Sequence, residues 1–257
     1  MLTELTDGVH IRTSATLQSN AVIVHGADGV LVVDPGLTSA ELGELAASIG
    51  RPVEAGFATH PHWDHVLWHD GLGDVPRYGT QLCVSEMDAL LASENWRERV
   101  AGAMPPEIAA EVPVDELFGR ITALPASGFS WDGPGIRVIE HRGHAIGSAA
   151  LLVESSGVLV AGDMLSDKFV PMLSRAETAI DDYLDALDLL QAAGGMFVVP
   201  GHGSVGTEVQ ERIDLDRAYV LALRDGTSFI DPRVETPQPG WEWVRFIHEG
   251  QLARFAG

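Results

Sequence analysis

The run Thr59-His60-Pro61-His62-Trp63-Asp64-His65 places three imidazoles and a carboxylate within six positions, directly after an apolar segment ending at Phe57-Ala58. Imidazole nitrogen and carboxylate oxygen are the donors that a borderline divalent cation such as zinc prefers, at about 2.0–2.2 Å. His60 and His62 lie two apart, so on an extended backbone both rings point to the same side. Asp64 and His65 are adjacent and diverge, so one of them can serve a second ion nearby. A core histidine satisfied by one hydrogen bond would not need three such neighbours.

A cluster built in one loop needs further donors from elsewhere. His144 follows the strand-like Ile136-Arg137-Val138-Ile139, Asp163 ends the apolar run that starts at Val158, and His202 follows Phe197-Val198-Val199-Pro200-Gly201. Each stands where an apolar strand stops and a glycine-containing loop begins, which is where open α/β sheets place their ligand sites. Singly, each signal is weak: a His after a strand is usually a structural hydrogen-bonder, and Gly-Asp at a strand end is usually a turn. Together the segments repeat one design, and it assembles five His and two Asp.

This ordered set resembles the metallo-β-lactamase-fold hydrolases. The family's motifs occur in order: Asp34-Pro35-Gly36, the His-x-His-x-Asp-His loop, Gly143-His144, Gly162-Asp163 and Gly201-His202, over about two-thirds of the chain. The resemblance implies a four-layer αββα sandwich of two mixed β-sheets with helices outside. It also implies two Zn2+ ions per chain, with iron or manganese as alternatives. His60, His62 and His144 would hold the first metal, and Asp64, His65 and His202 the second, with Asp163 bridging them. Asp34 would orient the loop, although an ordinary turn Asp before Pro and Gly accounts for it equally. The implied chemistry is hydrolysis by a hydroxide held between the ions, which attacks the carbonyl of a small ester, lactone, thioester or amide. Asp64 would also orient the proton of that nucleophile.

Departures from the family's patterns narrow the substrate. In β-lactamases with a zinc-Cys site a Cys often replaces the bridging Asp; here Asp163 holds that position and Cys83 lies outside every motif. Only 55 residues follow His202, which argues against a glyoxalase II-like helical domain. Met164-Leu165-Ser166 stands where homoserine lactonases usually carry a Tyr. Lys168 could meet a carboxylate or phosphate, though a lysine on a loop is ordinarily exposed. A phosphodiesterase, a diiron redox protein and a non-catalytic metal-binding module are the competing readings.

Composition sets the bounds. The chain has 257 residues, enough for one large α/β domain over 1–257. Its 16 basic and 37 acidic residues give a net charge of −21. That charge argues against nucleic acid as a partner, because non-specific affinity depends on Lys and Arg neutralising phosphates. The expected partner is a small-molecule substrate. One cysteine excludes an internal disulfide, and Cys83 reads as a small core residue. No secretory signal and no run of about 18 apolar residues is visible, so the reading is cytoplasmic, with no membrane. Whether the chain forms a homo-oligomer is open: Trp241-Glu242-Trp243 could be an interface or could pack on its own domain.

The elements that must position these donors follow from periodicity. Strands read at residues 9–12, 21–24, 30–33 and 53–58, with more between 121 and 160. Thr38 caps a helix over 39–49, stopped by Gly50 and Pro52. Asp64 is expected to cap a short helix through Trp68. An insert at about 85–118 starts with a helix capped by Ser85 and is broken by Pro105-Pro106 and Pro113. Its Trp96, Met104 and Phe118, with Trp63, Trp68, Phe169 and Met172, are expected to line an apolar pocket over the metals. Further helices are expected over 180–192, 207–224 and 241–255, with a loop at 226–240 that opens a C-terminal extension. The strand-pair-then-helix pattern occurs around 21–49 and again around 148–193, which implies a duplicated unit. His10, His25, His69, His141 and His248 are read as structural, with His69 near enough to touch the groups around the site.

Overall fold

The computed structural model describes residues 1–112, 114–117 and 120–255. One sheet runs in chain order: β1 (Thr3–Thr6), β2 (Val9–Thr13), β3 (Asn20–His25), β4 (Val30–Val33), β5 (Val53–Phe57), β6 (Arg77–Gly79) and β7 (Thr122–Ala123). Its first four strands are antiparallel, and β4 through β7 pair in parallel. The other sheet contains β8 (Ile136–His141), β9 (Ser148–Val153), β10 (Val158–Gly162) and β11 (Phe197–Pro200), in the order β11-β10-β9-β8. Only β10 and β11 are parallel there.

Helix α1 (Ser39–Ile49) joins β4 to β5, and the short α2 (Trp63–Val66) follows β5. Between β6 and β7 lie α3 (Gln81–Leu91), α4 (Trp96–Ala103), α5 (Pro106–Ala109) and α6 (Val114–Leu117). Helix α7 (Ala179–Ala193) joins β10 to β11, and α8 (Val209–Asp225), α9 (Pro232–Glu235) and α10 (Val244–Phe255) complete the chain.

Strand alternation builds the layers. Val22, Val24, Leu31 and Val33 face Leu151, Val153, Val158, Val160 and Val199 in one cluster between the sheets. The intervening Ala21, Ile23, Val30 and Val32 pack outward with Leu45 and Ile49 of α1. On the far side, Ala150, Leu152, Leu159 and Val198 pack against Tyr183 and Leu187 of α7 and Ile213 and Val220 of α8. Both faces of each sheet are therefore buried, each Val, Leu or Ile contributing about 1.5–3 kcal/mol. The result is the expected αββα sandwich of two mixed sheets. The same unit occurs in each sheet: an antiparallel pair, a helix, and a strand parallel to the second member, as β3-β4-α1-β5 and β9-β10-α7-β11.

Thr38 caps α1 by accepting from the Glu41 amide at 3.2 Å, and Gly50 ends the helix with φ +65°. Three local expectations are corrected. Helix α3 starts at Gln81, not near Ser85; Thr80 is its cap, accepting from the Cys83 amide at 3.0 Å and donating to the Gly147 carbonyl at 2.8 Å. Ser85 instead donates back to the Gln81 carbonyl inside the helix. Asp64 caps nothing, because α2 begins one residue before it and its carboxylate is turned to His202. Within the expected loop at 226–240, Asp231 caps α9 by accepting from the Arg233 amide at 2.9 Å.

Candidate metal centre

Six of the seven expected residues sit at or just beyond strand ends. Strand β5 delivers His60, His62, Asp64 and His65, β10 delivers Asp163, and β11 delivers His202. His144 lies in the β8–β9 connection, which the Thr80–Gly147 bond ties to α3. Gly147, with φ +87°, lets that connection approach so closely that a side chain there would overlap the Cys83 amide.

The side chains converge into two groups: His60, His62, His144 and Asp163, and Asp64, His65 and His202. His62 alone among them is exposed. His62 Nδ1 lies 3.1 Å from His60 Nε2 and 3.0 Å from His144 Nε2. His202 Nε2 lies 2.9 Å from Asp64 Oδ2, which is 3.5 Å from His65 Nε2. Metal–ligand bonds of about 2.0–2.2 Å put neighbouring donors about 3.0–3.5 Å apart, so these spacings suit shared cations. The carboxylate of Asp163 stands between the groups. Its Oδ2 is 3.8 Å from His60 Nε2 and 3.6 Å from His144 Nε2, while its Oδ1 is 3.2 Å from His65 Nε2 and 3.6 Å from His202 Nε2.

The surroundings orient each ring. His144 Nδ1 donates to the Met172 carbonyl at 3.0 Å, and His202 Nδ1 to the Leu17 carbonyl at 2.9 Å. His65 Nδ1 donates to Asp34 Oδ2 at 2.8 Å. In the neutral form of each ring this bond places the proton on Nδ1 and leaves the Nε2 lone pair toward the centre. Asp34, buried and held at φ +48°, also accepts from the Thr59 amide at 2.9 Å and the Thr59 hydroxyl at 2.6 Å. It therefore fixes the start of the ligand loop as well as His65. These roles of Leu17 and Met172 gave no sequence signal, since both act through backbone carbonyls.

The donors fit a cation. His65 Nε2 and Asp163 Oδ1 are buried, face each other and have no hydrogen-bond partner among the described residues. Leaving such atoms unmatched costs about 1–3 kcal/mol each, more when charged. Gly201 keeps this space clear: a Cβ there would fall on the Asp163 carboxylate and lie 2.8 Å from the His65 ring.

The charges agree. Burial holds His60 well below the usual imidazole range, and His65 beside it adds to this. Burial and the neighbouring His62 push His144 down to about 4. These are neutral lone-pair donors. Burial alone would raise the Asp64 and Asp163 carboxyls, but the nearby imidazoles, chiefly His65 for Asp64 and His202 for Asp163, hold both well below the usual carboxylate range. The same carboxylates outweigh burial at His65 and His202 and raise both; Asp64 leads at His65 and Asp163 at His202.

The expected apolar pocket does not form as one unit. Trp63 and Met104 pack together with Leu37, Leu67, Val100 and Ile108, so the helical insert buries its apolar face against the ligand loop itself. Trp68 lies on the outer face of the first sheet and donates to the Gly73 carbonyl. Phe169 belongs to the cluster beyond the second sheet, 6.1 Å from the His202 ring. Phe118 and Pro113 lie outside the described residues. Lys168 is buried, not exposed, and donates to Gln238 at 2.8 Å with Asp167 at 2.9 Å. His69 accepts from the Gly71 amide in its own turn, and Cys83 is a buried free thiol. Trp241 packs on its own chain, stacked on Phe169. No helix among the described residues is long and apolar enough to cross a membrane.

Comparison with known proteins agrees with this geometry. The family model described as the metallo-beta-lactamase superfamily matches residues 15–202. A "Probable metallo-hydrolase" of Streptococcus pyogenes serotype M6 is 24% identical over 192 residues, which cover 71% of this chain and 78% of that protein. A metallo-beta-lactamase family protein from Thermus thermophilus is similar in structure, with a TM-score of 0.68, 24% identity, and coverage of 97% and 92% of the two chains. A protein solved in a di-iron-bound form gives a TM-score of 0.59 at 24% identity, covering 77% of this chain and 93% of that one. The structural likenesses show the fold, and the family match spans most of the chain and includes all seven converging residues. The chain belongs to the metallo-beta-lactamase superfamily.

Proposed function

We propose that this metal-dependent hydrolase works with two Zn2+ ions and cleaves a small ester, lactone, thioester or amide. His60 Nε2, His62 Nδ1, His144 Nε2 and Asp163 Oδ2 would hold one ion; Asp64 Oδ2, His65 Nε2, His202 Nε2 and Asp163 Oδ1 would hold the other. The observation that carries this reading is Asp163, whose two oxygens face opposite histidine groups. When bound, such a pair of ions polarises the substrate oxygen and makes hydroxide available near neutral pH.

The chain's own residues do the rest. Asp163 sets the separation of the two positions. Asp64, kept ionised, would accept a hydrogen bond from the attacking water and so orient its proton. Attack forms the new C–O bond, and the bond to the leaving oxygen, sulfur or nitrogen breaks, with the proton passing to that group. The seven-residue centre contains no Lys or Arg, and the net charge is −21, so a carbonyl substrate suits it better than a phosphodiester. Zinc suits the nitrogen-rich donor set; iron is the alternative, prompted by the structurally similar di-iron protein.

The test is elemental analysis of the purified chain, followed by a panel of chromogenic esters, thioesters, lactones and phosphodiesters. The reading expects two equivalents of zinc and turnover of carbonyl substrates that is lost in Asp163→Asn. Less than one equivalent of any transition metal, or turnover of phosphodiesters alone, would overturn it.

A further inference from the structure

The family match ends at residue 202, yet α10 reaches back to the backbone on either side of Met172, whose carbonyl meets His144. Gln251, buried in that helix, accepts from the Leu173 amide at 2.9 Å through Oε1 and donates to the Pro171 carbonyl at 2.9 Å through Nε2. Its amide thus grips the backbone on both sides of Met172. The Met172 carbonyl is the group that orients His144, accepting from Nδ1 at 3.0 Å. Nε2 of Gln251 also donates to the Tyr219 hydroxyl at 3.0 Å, which lies 3.0 Å from His248 Nδ1, so the amide is itself fixed by α8 and α10. On either side, Trp241 stacks on Phe169 and Arg254 donates to the Ala176 carbonyl at 2.7 Å.

We propose that Gln251 is a positioning residue for the His60–His62–His144–Asp163 metal position, acting through the Met172 carbonyl; this rests on the two-ion reading above. A carboxamide suits the position. One end must accept from an N–H and the other must donate to a carbonyl, which neither a carboxylate nor a thioether can do. The C-terminal helix therefore sets the tautomer and direction of a ligand 107 positions earlier in the chain.

The test uses the full-length chain, stripped of metal and titrated with Zn2+ against a chromophoric chelator. Gln251→Met keeps the bulk and loses both bonds; Gln251→Glu keeps the acceptor for Leu173 and loses the donor to Pro171. Groups behind a metal ligand are worth about 10–100-fold in affinity, so Gln251→Met is expected to weaken one of two zinc sites about tenfold and leave the other unchanged, with Gln251→Glu between it and wild type. Val244→Ala is the control: it is fully buried in the same helix and should lower thermal stability with unchanged zinc affinity. Wild-type affinity at both sites in the two Gln251 variants would overturn the proposal. So would equal weakening by Val244→Ala, which would mean general loosening. A wild-type chain that takes up fewer than two equivalents would overturn the two-ion reading, and this assignment with it.

Discussion

Asp34→Asn is the sharpest perturbation available, because it changes one atom and almost no volume. The carboxylate accepts from three donors: the Thr59 amide, the Thr59 hydroxyl and His65 Nδ1. An asparagine has one acceptor oxygen, so its NH2 must face a donor whichever way it is turned. If the oxygen stays on the Thr59 amide, the hydroxyl can rotate and accept, but His65 Nδ1 must also become an acceptor. The imidazole proton then moves to Nε2, the atom that faces Asp163 at 3.2 Å. A protonated Nε2 cannot bind a cation. If the amide is flipped, His65 keeps its tautomer and the Thr59 amide is orphaned, at a cost of about 1–3 kcal/mol. The expected result is a stability loss of that order or less, with zinc affinity at one of two sites reduced about 10–100-fold. Chelator competition reads the affinity, urea unfolding of the metal-free chain reads the stability, and nitrogen-15 NMR reads the His65 tautomer. Two sites within about twofold of wild type would refute the reasoning, since a fixed tautomer is what gives this bond its importance.

Gly201→Ala should leave the fold intact and abolish zinc at the position next to His65, because the added methyl falls on the Asp163 carboxylate; elemental analysis showing undiminished zinc would contradict this. The raised His65 and His202 mean that the metal-free centre holds protons that binding must expel, so zinc affinity should fall as pH falls. Titration calorimetry in buffers of different ionisation enthalpy measures the release, and buffer-independent heats would count against it. His141 is buried, and burial pushes it from 6.5 to about 4. Between those values the unfolded chain binds a proton that the folded chain does not, so stability falls as pH drops through 6.5 and levels off near 4, by about 3 kcal/mol from this group. Urea midpoints of the metal-free protein should show His141→Asn losing part of that slope; parallel curves would refute it. Ile23→Ala, in the fully buried outer face of the first sheet, should cost about 2–5 kcal/mol by chemical denaturation.

Much of this molecule is legible in sequence because its signals are local and repeated. Apolar runs such as Val30–Val33 end at chemistry-bearing residues, and buried strands state their own limits through the glycines and charges that follow. The candidate set is legible because seven residues of metal-binding type occupy loops at equivalent places in the architecture, and the fold brings them into two groups. What periodicity misses is direction and partnership. Thr80 and Ser85 are equally good caps in isolation, and only the Gly147 carbonyl across the fold decides for Thr80. Lys168 reads as an exposed loop residue, yet Gln238 from the C-terminal extension buries it. The insert's Trp96 and Met104 read as pocket walls, but Trp63 of α2 and Leu67 just after it join them in one apolar cluster. Gln251 carries no signal at all, since its role depends on two backbone groups brought to it from residues 171 and 173.

The central claim is that Asp163 stands between two cations. Anomalous diffraction from crystals grown with zinc tests it most directly. The account predicts two peaks, about 3.5–4 Å apart, one on each side of the Asp163 carboxylate. A single peak, or peaks away from that carboxylate, would contradict it.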